Sequence, residues 1–409
     1  MALFQPTSLA AARVSMAQAA ILVAITFIPV PSGWTRTQRL LTSASSNQPN
    51  RAEGDHHATG YYEGLIGGEG QGGRGELTLK LMGKPNGWMR FNDAGVARHM
   101  NHDFLQFELV PRMDSILFDQ PFVTNSHGMH SPEVAVEKPA KTFRVALLGS
   151  SMDMGWGVKC EDTYANQLQT WLNAHAAHRG FASDRRFEVL NFAVAAYSPL
   201  QRLESFRRKA RAFKPDLVIF SSTLLDVRLT EIHLCDMFRT KSDPTYDFLR
   251  ELIARAGIDQ SDQYVNPKGD LVYKERIKAK LAPYYWELYD STVGALAAEC
   301  RSSGIPMLMI VIPRVGKDND QAVRAEPVAR LKAIAGRYGL PIFDISDTFD
   351  ELDPAVLEIA AWDDHPNALG HHRLFLALSH HLVTDQDRYQ LLFPGRKAAA
   401  EASLPQDLP

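Results

Sequence analysis

Cysteine is scarce: three in 409 residues, Cys160, Cys235 and Cys300, far apart and odd in number. That excludes a disulfide framework and a CxxC metal site, and leaves partly buried free thiols as the ordinary reading. An excess of one charge is also missing. The 44 basic and 47 acidic side chains leave a formal net charge of −3 and are mixed along the chain. No basic block or stripe offers a footprint for nucleic acid. A long hydrophobic run is missing as well. The most apolar stretch, "MAQAAILVAITFIPVPSGW" at 16–34, has an uncharged heart of about a dozen residues, where a bilayer span needs about 20. Nucleotide signatures are absent too. No Lys-Ser/Thr follows the glycines of "LGSSMDMGWGV" (148–158), which excludes a P-loop. The spacing of those glycines is wrong for GxGxxG, and no acidic residue ends the next strand.

The remaining features describe a chain of more than one part. Arg13 precedes the apolar stretch at 16–34, as in an export signal, but Pro29 and Pro31 interrupt its end and no A-x-A site follows. A signal, a membrane anchor and a disordered leader over 1–40 all stay open. Export or membrane anchoring is the expected location and the cytoplasm the alternative. Residues 41–75, rich in Ser, Asn and Gly, read as a flexible linker, with His56 and His57 solvated in it. Between 76 and 140, "ELTLKLM" (76–82), "FLQFELV" (104–110) and "SILFDQPFVT" (115–124) alternate apolar and polar residues, as half-buried strands of a small β-rich module do. His127 and His130 follow in "TNSHGMHSPE" without a third metal ligand near them.

From 141 the pattern changes. "FRVALLG" (143–149), "FEVLNFA" (187–193), "PDLVIFSS" (215–222), "PMLMIVI" (306–312) and "PIFDI" (341–345) are near-continuous apolar runs separated by helical patterns. They predict a parallel five-stranded sheet covered on both faces, spanning 141–390, with an irregular, charged insertion at 225–283 and a disordered tail at 391–409. Ligands of such sheets bind at the carboxyl ends of the strands.

Two stretches at that edge carry chemistry. The first strand ends in Gly149-Ser150-Ser151, where a serine is either a nucleophile or a partner for loop backbone. Near the other end of the chain, "WDDHPNALGHHRLFLAL" (362–378) sets Asp363, Asp364 and His365 before a helix. Pro366 keeps His365 out of the α region, and Asn367 is a good N-cap. Either aspartate is near enough to fix the tautomer of His365 and leave Nε2 as a base. Asp363 is favoured, because alternate residues of an extended segment share a side.

These blocks resemble the SGNH/GDSL hydrolase family from about Phe143 to Leu382. "VALLGSSMDMGWGV" resembles the block in which a strand runs into Gly-Asp-Ser, with Ser150 in place of the Asp and Ser151 at the nucleophile. "VLNFAVAAYSPLQ" resembles the Asn-x-Gly-x-x-Gly block, with Asn191 kept and Ala193 and Ala196 in place of the glycines. "DDHPNALGHHRL" resembles the block of the base. "PFVTNSHGMHSPEVAVEKPAKTFRV" resembles the lead-in of bacterial members with an extra amino-terminal module. The family's oxyanion Asn is replaced by Leu225, ahead of Asp226, and Trp362 stands where its orienting Asp often lies.

The resemblance implies a flavodoxin-like three-layer α/β/α sandwich preceded by the small β-rich module. It implies a serine esterase or acyltransferase with Ser151, His365 and Asp363 as catalytic residues, and the N–H groups of Ser151 and Ala196 as oxyanion hole. Asn191, Ser222 and Asp226 are expected to bind substrate. No metal or cofactor is expected, and the substrate would be a small ester or an acylated carbohydrate. The departures leave a second reading, a degenerate module that binds carbohydrate or protein.

Overall fold

The computed structural model describes Phe91 and residues 94–180, 185–361 and 363–397. The expected leader, linker and strand at 76–82 lie outside the described residues, as do Trp362 and the last part of the expected tail. The described chain opens with two antiparallel hairpins. Strands β1 (Ala97–His99) and β2 (Phe107–Leu109) form one, and β3 (Asp114–Leu117) and β4 (Gln120–Val123) the other. The run 115–124 divides into the second pair. Phe118 and Asp119 both have positive φ, 53° and 60°, and fold it back in a two-residue turn of the kind that matches strand twist.

The sheet follows as expected. Strands β5 (Thr142–Leu148), β6 (Arg186–Asn191), β7 (Leu217–Ser222), β8 (Met307–Val311) and β9 (Ile342–Asp344) are all parallel, in the order β6-β5-β7-β8-β9. Alternate residues serve opposite faces. Ala146, Leu148, Val218, Phe220, Met309 and Val311 belong to one apolar core, and Val145, Leu147, Leu217, Ile219, Leu308 and Ile310 to the other. A short helix, α1 (Ser151–Met154), follows β5, then α2 (Tyr164–His178), and α3 (Pro199–Arg208) follows β6. Between β7 and β8 lie α4 (Asp226–Thr240), α5 (Asp247–Arg255), α6 (Lys274–Leu281) and α7 (Tyr285–Ser302). Then come α8 (Gln321–Arg337), α9 (Pro354–Leu357), α10 (Ala368–Thr384) and α11 (Gln386–Leu392). Helices α3, α4, α7 and α8 bury Leu203, Leu234, Leu288 and Leu331 in the first core; α2, α10 and α11 bury Leu172, Leu378 and Leu392 in the second. The result is a three-layer α/β/α sandwich whose chain order reverses between β5 and β7.

Two expectations change. The segment 225–283 is mostly helical, because its charges pair along helix surfaces, Arg228 with Glu231 and Arg239 with Asp236, while Leu229, Leu234 and Phe238 turn inward. The tail does not begin at 391, because α11 runs to Leu392, and Leu392 and Phe393 are buried in the second core. The β hairpins also join the main body. Phe104 enters the first core, and the main-chain oxygens of Leu105 and Phe107 accept from Gln201 Nε2 and the Tyr197 hydroxyl, both at 2.7 Å. Among the described residues no helix is long and apolar enough to cross a membrane.

Candidate active site

Strand β5 ends in Gly149 because of what folds back over it. Ser150 is extended (φ −118°, ψ −153°) at the N-cap of α1. Its main-chain N–H donates to Asp153 Oδ2 at 2.8 Å. The Tyr164 hydroxyl donates to the other oxygen of that buried carboxylate at 2.6 Å. A β-carbon on Gly149 would lie 2.2 Å from Asp153 Oδ2 and 2.6 Å from its Cβ, so only glycine fits. Burial pushes the Asp153 carboxyl up from its ordinary value, against hydrogen bonds from Tyr164 and Ser150 and the attraction of Arg202. The turn leaves Ser151, 4% exposed, as the first residue of α1, at the carboxyl end of β5 and beside the point where strand order reverses.

His365 arrives from the opposite end of the chain. It lies in β11 (Asp363–Pro366), which pairs antiparallel with β10 (Glu358–Ala360) instead of forming a plain loop. Asn367 caps α10 as expected, its side chain accepting from the N–H groups of Leu369 and Gly370 at 3.0 and 3.1 Å. Asp363 and His365 are buried, at 2% and 1% exposure. Asp363 Oδ1 accepts from His365 Nδ1 at 2.5 Å and from the His365 N–H at 3.1 Å. Asp364 lies 3.8 Å from the Arg314 guanidinium. With Nδ1 bearing the proton, the Nε2 lone pair is the basic position. Burial alone would lower the pKa of His365. The Asp363 carboxylate and its hydrogen bond, with Asp364 close by, outweigh this and hold it above the ordinary 6.5.

Helix α1 packs against β11, which brings the Ser151 and His365 elements together. The Ser151 Oγ–His365 Nε2 hydrogen bond is not formed among the described residues. In substrate-free sites that contact is often long and tightens on binding. Trp156 bridges the two elements: its indole N–H donates to Asp363 Oδ2 at 3.3 Å, and its ring centre lies 6.3 Å from that of His365. Sequence reasoning missed this residue; its one signal was a large aromatic between two glycines in "GWG".

The segment after β6 contains Ala196, with φ +63°, the left-handed conformation natural to the glycine it replaces in the resembled block. For a residue with a β-carbon this costs roughly 1–2 kcal/mol. Neighbouring hydrogen bonds hold it. Asn191 Oδ1 accepts from the Ala193 N–H at 3.1 Å, and Ser198 and Gln201 form a capping box at the start of α3. Leu225 stands at the N-cap of α4 and is 7% exposed; its side chain donates nothing.

The three residues expected to bind substrate have internal partners. Asn191 Nδ2 donates to the Asp153 carbonyl at 2.8 Å, tying β6 to α1. Ser222 Oγ shares a 2.5 Å hydrogen bond with the Tyr289 hydroxyl. Asp226 receives both guanidinium arms of buried Arg202, at 2.7 and 2.9 Å. These contacts brace the site from within. His127 and His130 contact the carbonyls of Val134 and Val123 at 2.9 and 2.7 Å. Asp363, Asp364 and His365 each offer a possible metal-ligand atom within 4.8 Å of the others. Asp363 Oδ1 is already engaged by His365 Nδ1, so a cation there would compete with that hydrogen bond.

No known family profile matches this chain, and no curated protein sequence matches it. Solved structures with a similar course include a catalytic mutant of an acetylxylan esterase from Geobacillus stearothermophilus (16% identity, 61% of this chain and 97% of that one, TM-score 0.39). Others are an acetyl xylan esterase (12%, 59% and 100%, TM-score 0.37) and a two-domain esterase active on acetylated mannans (14%, 66% and 54%, TM-score 0.37). Likeness at this level carries no functional weight.

Proposed function

We propose that the protein is a serine esterase, hydrolysing or transferring small acyl groups through an acyl-enzyme. The observation that carries this reading is the buried Asp363–His365 pair, with a 2.5 Å Nδ1–Oδ1 hydrogen bond, on the strand against which the Ser151 helix packs. In this mechanism His365 Nε2 takes the proton of Ser151 Oγ as that oxygen attacks the ester carbonyl. The imidazolium, stabilised by Asp363, then gives the proton to the leaving alcohol. The N–H groups of Ser151 and Ala196 receive the developing oxyanion, and the left-handed backbone at Ala196 supports that assignment. Water or a sugar hydroxyl intercepts the acyl-enzyme. An O-acetylated carbohydrate met outside the cytoplasm is the substrate we propose.

Leu225 favours the second reading, a non-turnover binding module, because a side-chain donor is missing from the hole. Losing one such donor costs about 10²–10³ in kcat, which slows an esterase without abolishing it. The deciding assay is p-nitrophenyl acetate hydrolysis by wild type and Ser151→Ala. The esterase reading expects wild-type turnover and its loss in the variant, with melting temperature unchanged. Equal rates for the two would reject Ser151 as the nucleophile.

A further inference from the structure

We infer that Trp156 is a positioning residue for the Asp363–His365 pair, seated by the hairpin that precedes the sheet, so that the amino-terminal module completes the site. The kinetic arm of the test below rests on the esterase reading; the spectroscopic arm does not.

The two oxygens of Asp363 have different partners. Oδ1 faces His365, through Nδ1 and the main-chain N–H. Oδ2 receives the Trp156 indole N–H at 3.3 Å. A carboxylate held at one oxygen can swing about its Cβ–Cγ bond; a donor on the second oxygen fixes its plane and so the imidazole it orients. Outer partners of this kind tune the groups they hold.

Trp156 is itself firmly placed. It is 1% exposed, with Phe91 edge-on at 5.7 Å and Phe118 edge-on at 5.2 Å between ring centres. Both phenylalanines lie ahead of the sheet, and Phe118 is in the left-handed turn between β3 and β4. The flanking glycines record how tightly the main chain is held. Gly155 and Gly157 have φ of +86° and +71°. A β-carbon on Gly157 would lie 2.6 Å from Ile359 of β10 and 3.3 Å from Phe118; one on Gly155 would lie 2.4 Å from Thr163. The "GWG" spacing is thus what inserts an indole between the hairpin and the aspartate.

The charged and titratable groups around His365 are few. Asp363 and Asp364 lie on its own strand. Arg314 and Lys317 come from the segment after β8, Glu358 from β10 and His371 from α10. None of these is altered by Trp156→Phe, which keeps an aromatic ring and removes one N–H.

The test uses the full chain. In the resting protein, the indole proton of Trp156, assigned by its loss in Trp156→Phe, is followed against pH together with the His365 ring. The indole resonance is expected to move through the His365 midpoint, and to stop doing so in Asp363→Asn. In Trp156→Phe the His365 midpoint is expected to rise, because a carboxylate with one donor fewer attracts the imidazolium more strongly. With p-nitrophenyl acetate, kcat is expected to fall about ten- to a hundredfold with little change in KM. A flat indole resonance across the titration, or an unmoved midpoint in a folded Trp156→Phe, overturns the inference. If that variant does not fold, the indole is assigned in the wild type by its through-space contacts with the Phe91 and Phe118 rings, and its titration decides. If the chain hydrolyses no ester, the esterase reading fails while both resonance readouts still decide this one.

Discussion

Ser151, His365 and Asp363 differ in how much of their placement was written in the sequence. The Asp-His pair was legible because "DDHPN" combines a proline that enforces extension with an asparagine that starts a helix. Alternation then selected Asp363, and the structure sets its Oδ1 2.5 Å from Nδ1. The internal partners of Asn191, Ser222 and Asp226 were not legible, because a polar residue at a strand end looks the same in sequence whether it faces a ligand or an internal partner. Their partners, Asp153, Tyr289 and Arg202, come from other elements. Trp156 and Asp363 are 207 positions apart, and no local pattern reports such a contact. The raised pKa of His365 has two consequences of opposite sense. On the esterase reading His365 works as a base when neutral, so kcat/KM is expected to fall as pH drops through a limb above 6.5. For the fold, the ion pair is fully stabilising below the unfolded value and is lost as pH rises through the folded one. Asp363→Asn is expected to move the activity limb to lower pH and to lower kcat by up to about 10⁴-fold. A pH–rate profile checks this, and an unmoved limb would separate Asp363 from the base.

The apolar runs that became β5 to β9 were readable because a strand buried on both faces needs no alternation. Helices α4 to α6 were not, since their charges pair with one another and mask the apolar stripe. Sequence showed that β5 stops at Gly149 but not why. The cause is Asp153, four residues on, whose carboxylate occupies the space a side chain would need. This fixes what Gly149→Ala should do. The added carbon must displace Asp153 from Tyr164 and the Ser150 N–H, which leaves a buried carboxylate short of partners. A loss of about 2–4 kcal/mol in urea unfolding is expected, with esterase turnover falling alongside. Unchanged stability and turnover would show that the Asp153 brace is dispensable.

Over the whole molecule, the site is where distant segments meet. Ser151 follows β5, Asp363 and His365 come from β11, and the aromatic support of Trp156 comes from ahead of the sheet. Arg202 binds α3 to the end of β7 and the start of α4 through the Ser221 carbonyl and Asp226. Buried ion pairs of this sort add little net stability when intact but cost about 3–5 kcal/mol when one partner is removed, so they act as registers between layers. Arg144 does the same at the other edge. It pairs with Glu188 on β6 and donates to the carbonyls of Ala135 and Val136, which fastens the chain ahead of the sheet to the sheet itself. Such an assembly has one purpose on the present account, to give a single hydroxyl a nearby base. The measurement that reaches this most directly is labelling with a fluorophosphonate, followed by peptide mapping. The account predicts one adduct, on Ser151, in wild type, and its loss in both Ser151→Ala and a folded His365→Ala. A folded wild-type protein that takes no label, or takes it on another residue, would contradict it.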